Sequence, residues 1–388
     1  MYGSTRGPQL PTDFAIADDG VDITVAQLLH HTSGLADRGF SEMTRAQPRD
    51  LADRVAQMRE ARLVAQPGTR FQYFNANYAV LARLVEVVSG LAFDDYMQRH
   101  IFAPLEMHET TGVVTAQAAR RAAPDLAGGH ILAYGVAVAR PELHGVLAGS
   151  GGVISTARDL ANFLVMQNNA GRFSGSVLLS QGGVTRMHTP PAGIDSPYAM
   201  GWMATAPGVV EHNGVLSTFH ADATLLPDDG YGVVVLSNSY NALAGYDAIM
   251  QGLVDLVTRG ATGSGGMGAR TLGLVLAVLT AVTAGLYVLG LRSAGTWARR
   301  RRDTPWPLVV VRLALTTLPA VLLAVFPQVL ASTLGRVFSF RALYRAMPGV
   351  MIWLTLSALL GVALGVARAR ALASHGFADG RAHPATSE

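Results

Sequence analysis

The chain of 388 residues has no cysteine, and all 30 of its basic side chains are arginine. The first absence excludes disulfides and thiolate chemistry and removes the commonest soft metal ligand. The second excludes any step through a lysine amine, although arginine serves as well as lysine on most solvated faces. Acidic residues are scarce at the back. Residues 1–265 carry 17 Arg against 24 Asp and Glu, whereas residues 266–388 carry 13 Arg against 3 acids. The formal net charge of +3 therefore joins an acidic front to a basic, apolar back. The arginine excess lies among apolar segments, so no nucleic-acid partner is expected.

Three apolar runs dominate the back: Thr271–Leu291, Pro307–Leu334 and Gly349–Ala367. Each is near or above the roughly 20 residues that cross a hydrocarbon core as a helix. Pro319 and Pro327 interrupt the second run, which a membrane helix tolerates better than a soluble one. Arg292 and Arg299–Arg302 fall between the first two runs, Arg336, Arg341 and Arg345 between the last two, and Arg368, Arg370 and Arg381 after the third. Placing the first loop and the tail in the cytoplasm puts eight arginines inside against three, so the N-terminal part is expected outside, with the lipid bilayer as a partner.

The chain divides into a domain over 1–258, a Gly/Ser-rich tether over 259–270, a three-helix membrane region over 271–370 and a polar tail over 371–388. The tether contains a literal G-x-G-x-x-G at Gly263, Gly265 and Gly268. It follows a helical pattern and precedes an apolar run, so it lacks the strand-to-helix context of a dinucleotide site. In the domain, helices are predicted over Ile23–His31 (opened by Asp22), Ala76–Ser89 (stopped by Gly90), Phe93–His100 and Thr156–Asn168. Strands are predicted over Val209–His212, Thr218–Leu226 and Tyr231–Ser237, the last two joined by the turn Pro227–Gly230. A closing helix is predicted over Ala242–Thr258 with Asn241 as its cap. Helices ahead of a terminal antiparallel sheet make this an α+β domain.

Two clusters bear chemistry. Tyr73 and Asn75 stand two positions apart where a loop enters the long helix, so that a hydroxyl and an amide can face one cleft. Glu211-His212-Asn213-Gly214-Val215 opens the terminal strands. A glycine there lets a substrate carbonyl approach the backbone, where the Val215 N–H can serve an oxyanion hole. By residue type alone, each cluster reads more readily as structural: Tyr73 as core with Asn75 as a helix cap, and His212 as a histidine before a strand.

Their surroundings sharpen the reading. Ile23–Leu35, with Leu28-Leu29-His30-His31-Thr32-Ser33-Gly34-Leu35 at its end, resembles the segment after the nucleophile helix in class C β-lactamases and penicillin-binding proteins. Tyr73-Phe74-Asn75, Ile101–Met107, Gly151–Leu160, Met200-Gly201-Trp202, His212-Asn213-Gly214 and Val235–Asn238 follow in that family's order. The resemblance covers Leu10 to Asn238. It implies an antiparallel sheet with helices plus a helical lobe and a serine nucleophile working through an acyl-enzyme. Tyr73 would be the general-base partner, with His212 also catalytic. Asn75, Asn213, Gly214 and Val215 would bind a small-molecule or peptide substrate of the cell envelope. No cofactor is implied.

The departures are plain. Phe74 stands where a serine is usual, which removes one hydroxyl from the cleft. Without lysine there is no Ser-x-x-Lys and hence no family nucleophile in this chain. Met1–Leu10 carries no apolar run of an export signal. Both features are expected upstream of Met1, through a misplaced start or a truncated gene; the alternative is a ligand-binding pseudoenzyme. Other chemistries are absent from the pattern. No Gly-x-Ser-x-Gly elbow occurs, Ser33 reads as structural, and His108-Glu109 meets Gly112 where a zinc site needs histidine. His30-His31, adjacent on the predicted helix, point two ways and make a poor metal clamp.

Overall fold

The computed structural model describes residues 14–18, 21–261, 268–301 and 303–379. Residues 10–13 of the resemblance, 262–267 of the tether and 380–388 of the tail lie outside them.

Helix α1 covers only Val25–Leu29. Thr24 caps it, not Asp22: its hydroxyl accepts the Gln27 N–H, and the Gln27 side chain accepts the Thr24 N–H. His30 and His31 thus fall beyond the helix, and His31 takes a left-handed φ of 54°. Helix α2 (Leu51–Gln57) and helix α3 (Asn75–Ser89) pack beside α1, with Gly90 stopping α3 at φ 69°. Leu28, Leu35, Val55, Met58, Phe74 and Val80 form the core of this helical lobe. The helix predicted over Phe93–His100 splits into Phe93–Met97 and a wider turn, Gln98–Phe102. The extra residue in that turn carries Phe102 into a cluster with Leu105, Met107 and Met166.

The second layer is a four-stranded antiparallel sheet. A small sheet comes first in the chain, with β1 (His130–Ala133) and β2 (Val136–Ala139) beside Ser239–Tyr240. The large sheet has β3 (Met203–Ala206), β4 (Val209–Val215), β5 (His220–Leu226) and β6 (Tyr231–Ser237) in the order β6-β5-β4-β3. All three predicted strands are present, with β4 running three residues further. Helix α4 (Ala157–Asn168), capped by Thr156 as expected, covers one face. A Cβ at Gly232 would sit 2.9 Å from the Leu164 side chain, so glycine is what lets α4 lie so close to β6. Leu164, Trp202, Val210 and Leu225 fill that interface. The closing helix α5 spans Tyr246–Arg259 and starts later than predicted, after Gly245 at φ 67°. Asn241 does not cap it: its amide donates to the Leu132 carbonyl at 2.6 Å and accepts the Leu243 N–H, holding the small sheet instead.

Among the described residues three helices are long and apolar enough to cross a membrane: α6 (Ala269–Arg292), α7 (Trp306–Leu334) and α9 (Pro348–Asp379), with the short α8 (Phe340–Ala346) before the last. Pro319 and Pro327 lie inside α7 without ending it. Helix α9 runs through much of the predicted polar tail, because Ala-Arg-Ala-Arg-Ala-Leu-Ala is a strong helix former. Small residues let α7 and α9 approach: a Cβ at Gly361 would lie 2.2 Å from the Thr316 carbonyl. The connection between α7 and α9 lies against the domain. Ala242 N–H donates to the Ala346 carbonyl, and Arg345 donates to the Pro141 carbonyl at 2.8 Å.

Leu225 is wholly buried between the sheet and α4. Leu225→Ala is expected to cost about 2–5 kcal/mol. Thermal unfolding of the full chain in nanodiscs, followed by near-UV circular dichroism, measures the loss.

Candidate active site

The site is assembled around His31. Its carbonyl accepts the Gln72 N–H at 2.8 Å and its Nδ1 accepts the Phe74 N–H at 3.2 Å. A backbone N–H can only donate, so Nδ1 is the acceptor and the neutral ring carries its proton on Nε2. Asn77 on α3 reaches the same Nδ1 at 3.2 Å, and its Oδ1 takes the Ser33 hydroxyl at 2.9 Å. Ser33 is wholly buried in this network, which is the structural role expected of it. The loop Gln72–Phe74 is thus held at both ends, with Tyr73 between.

Tyr73 lies against His31 with ring centroids 4.3 Å apart. Tyr198 stands 4.7 Å from His31 and 5.8 Å from Tyr73, and its hydroxyl is 3.3 Å from Nε2 of His212 on β4. Tyr78 donates to the Leu29 carbonyl at 2.8 Å and shares a hydroxyl contact with Tyr198. Burial raises the pKa of all three tyrosines; for Tyr73 the Arg336 guanidinium opposes that shift. Burial lowers His212. His31 is lowered to about 3, first by burial and then by the nearby His212, Arg336 and His30. The cluster is therefore neutral near pH 7, with protons on its phenols and one proton on each imidazole.

Strand β4 supplies the other wall. The Leu216 N–H donates to the Phe219 carbonyl at 3.0 Å, making these two a hydrogen-bonded pair. Alternation along the ladder then makes Gly214 and Ala221 the next such pair and turns the Val215 N–H away from β5. Strand β3 pairs only as far as Glu211, so that N–H points out of an open sheet edge. Asn213, Gly214 and Val215 are all exposed there. The turn beyond is fixed by Glu142, whose carboxylate accepts from the backbone N–H and hydroxyl of Ser217 and of Thr218.

Tyr73 and His212 thus meet through Tyr198. Asn75 is half-buried in the first turn of α3, and among the described residues its side chain hydrogen-bonds neither of them. Phe74 is 1% exposed and sits in the lobe core, so its side chain is no part of the cleft wall. His30 and His31 are not side by side on a helix, as predicted, because α1 has already ended. Among the described residues no group of three His, Asp or Glu is placed to hold a metal ion.

Sequence reasoning missed His31, Tyr198, Asn77 and Glu142 as parts of the site. His31 had a signal in its place within the Leu28–Leu35 segment, and Tyr198 in its position just before Met200-Gly201-Trp202. Glu142 had none, since its partners are 75 residues away.

A buried helical lobe facing an antiparallel sheet is the architecture of the β-lactamase-like and penicillin-binding-protein-like α+β folds. The Beta-lactamase family model matches residues 10–252, and the chain belongs to that family. Protein flp of Staphylococcus aureus strain MW2 is 29% identical over 220 residues, covering 56% of this chain and 43% of flp. The unguisins hydrolase ungD of Aspergillus violaceofuscus is 26% identical over 285 residues, covering 63% and 48%. The chain spans about half the length of the curated relatives it matches. An octameric penicillin-binding protein homologue from Pyrococcus abyssi superposes with a TM-score of 0.51 at 25% identity, over 63% of this chain and 58% of that one. A penicillin-binding protein from Bacillus halodurans gives 0.50 at 23%, over 60% and 73%.

The shift on His31 has a sign. Folded His31 protonates near pH 3, whereas the unfolded chain does so at its ordinary 6.5. Above pH 6.5 both states are neutral and nothing is lost. As pH falls from 6.5 toward 3, the unfolded state holds the extra proton and stability drops by about 1.4 kcal/mol per unit. His30, His188, His212 and His220, also lowered by burial, act in the same direction. Asp37, raised to about 6 mainly by burial, acts in the opposite direction between 6 and 3.8. His31→Gln is expected to flatten the pH–stability curve by one proton below pH 6.5, and Asp37→Asn to steepen it between pH 6 and 4. Thermal unfolding across pH 4–8 reads both; a His31→Gln curve parallel to the parent's would remove His31 as the buried neutral base.

Proposed function

We propose that the protein is a membrane-anchored hydrolase of the serine, acyl-enzyme type. Its domain lies outside the cytoplasm and acts on amide, ester or β-lactam groups of envelope molecules. The observation that carries this reading is the convergence of Tyr73 and His212 on Tyr198, from a loop and a strand far apart in sequence. In the acylation step a serine oxygen bonds to the substrate carbonyl carbon and its proton passes by way of Tyr73 to the leaving group, whose bond to that carbon breaks. The open-edge N–H of Val215 supports the developing oxyanion. His212 and Asn75 hold the polar flanks of the substrate, with Asn213 and Gly214 forming the rim over which it enters. The three apolar helices anchor the domain at the bilayer, and the arginine count favours an outside location for it.

The serine of a Ser-x-x-Lys pair is not among these residues, because the chain has no lysine. That same observation supports the second reading, a protein that binds an envelope ligand in this cleft without turnover.

Labelling of the protein isolated from its own host's membranes separates the two. A fluorophosphonate or fluorescent penicillin is expected to form a covalent serine adduct, and Tyr73→Phe to slow its formation by about 10²-fold or more. Reversible binding with no adduct would leave only the second reading. An adduct formed at the same rate in Tyr73→Phe would take Tyr73 out of the mechanism.

A further inference from the structure

A groove of about 1100 Å³ separates the domain from the end of α7, and Tyr73 lines it. One wall is Ala36, Arg38, Phe71 and Gln72; the other is the last turns of α7 from Pro327 to Leu334, continuing to Phe340. The walls are tied together at one end. Asp37 accepts the Val337 N–H at 3.1 Å, and Arg336 lies 4.0 Å from Asp37 with its guanidinium 5.6 Å from the centre of the Tyr73 ring. The groove is therefore a feature built jointly by the domain and the apolar helices.

Its chemistry is mixed. The lining includes Arg38 and no Asp or Glu, and Arg336 stands beside it at Tyr73. On the wall formed by α7 and the chain after it, Leu334 and Phe340 are 59% and 45% exposed. Helix α7, with 29 residues, is about 43 Å long, against about 30 Å of hydrocarbon. Carried at the domain's end of the helix, a surplus of about two turns would bring Pro327–Leu334 to the level where lipid headgroups meet their chains.

We propose that this groove binds an anionic amphiphile drawn from the bilayer. Its head lies at Tyr73 between Arg38 and Arg336, and its hydrocarbon tail lies along Pro327–Leu334. The hydrolase reading is needed only for what happens to the head; the binding requires no nucleophile. Cations at the cleft end and an apolar wall continuous with a membrane helix fit such a molecule better than a soluble anion, which would leave that wall in water.

The test uses the full chain in phosphatidylcholine nanodiscs and a long-chain fatty acid carrying a photoreactive diazirine. With the diazirine on the tail, adducts mapped by mass spectrometry are expected on Pro327–Leu334 and on the facing wall at Phe71 and Gln72. Dodecanoate should compete and dodecanol should not. Arg38→Glu, at an exposed position, and Ala331→Trp, which fills the groove, should each lower labelling there about tenfold. Labelling of α6 should stay constant as an internal control. Adducts spread evenly along the lipid-facing sides of the three helices and indifferent to both substitutions would overturn the proposal. So would equal competition by dodecanol. Failure of the serine probe alongside localised photolabelling would sink the hydrolase reading and leave the groove standing.

Discussion

The cleft depends on a neutral imidazole. His31 accepts from the backbone of the Tyr73 loop and from Asn77 on α3, and it can do so only while Nδ1 is unprotonated. Burial keeps it so, because charging a ring enclosed by Phe71, Tyr73, Tyr78 and Tyr198 would strip an ion of water with no anion to receive it. The left-handed turn at His31 is what aims the ring inward. That backbone strain is held by the Thr32 N–H to Gln27 carbonyl bond on one side and the Gln72 N–H to His31 carbonyl bond on the other. One residue thus joins the end of α1, the start of α3 and the tyrosine loop, and places Tyr73 opposite the strand that bears His212.

Much of the architecture could be read from local pattern. The Pro227–Gly230 turn and the alternation on either side of it define β5 and β6. Thr156 announces α4, and the three apolar runs stand out by length and lack of acid. What could not be read was decided by competition. Asp22 and Thr24 are both acceptable caps, and the Gln27 side chain, which closes a box with Thr24 alone, settles the choice. Asn241 is a good cap by type, but Leu132 claims its amide. Helix α9 outruns its apolar segment because helix propensity does not stop where hydropathy does.

The site was legible in part for a similar reason. Tyr73, His212 and the Gly214-Val215 edge sit in short segments whose resemblance points to them. Tyr198 stands just before one of these segments, but its part in the site comes from a hydroxyl facing His212 across the sheet edge, which no local pattern shows. Phe74 is the instructive case. Its departure from a small hydroxyl residue looks like a lost polar group, yet its side chain is buried in the cluster with Leu28 and Met58 and is no part of the cleft wall.

With no lysine in the chain and the imidazoles of the cleft neutral near pH 7, the cation offered there is arginine, which keeps its charge. Beside a phenol whose pKa burial has raised, arginine therefore cannot trade protons; it can only make the phenolate cheaper. Arg336 stands in that relation to Tyr73, and it comes from the connection between α7 and α9, not from the domain. The apolar helices are thus coupled to the chemistry of the cleft as well as to its location. Moving α7 by one helical turn, about 5.4 Å, would carry Arg336 off the Tyr73 ring and break the Val337–Asp37 bond in the same motion. The electrostatics of the site and the seating of the domain on its apolar helices are therefore set by the same few contacts, and one cannot change without the other.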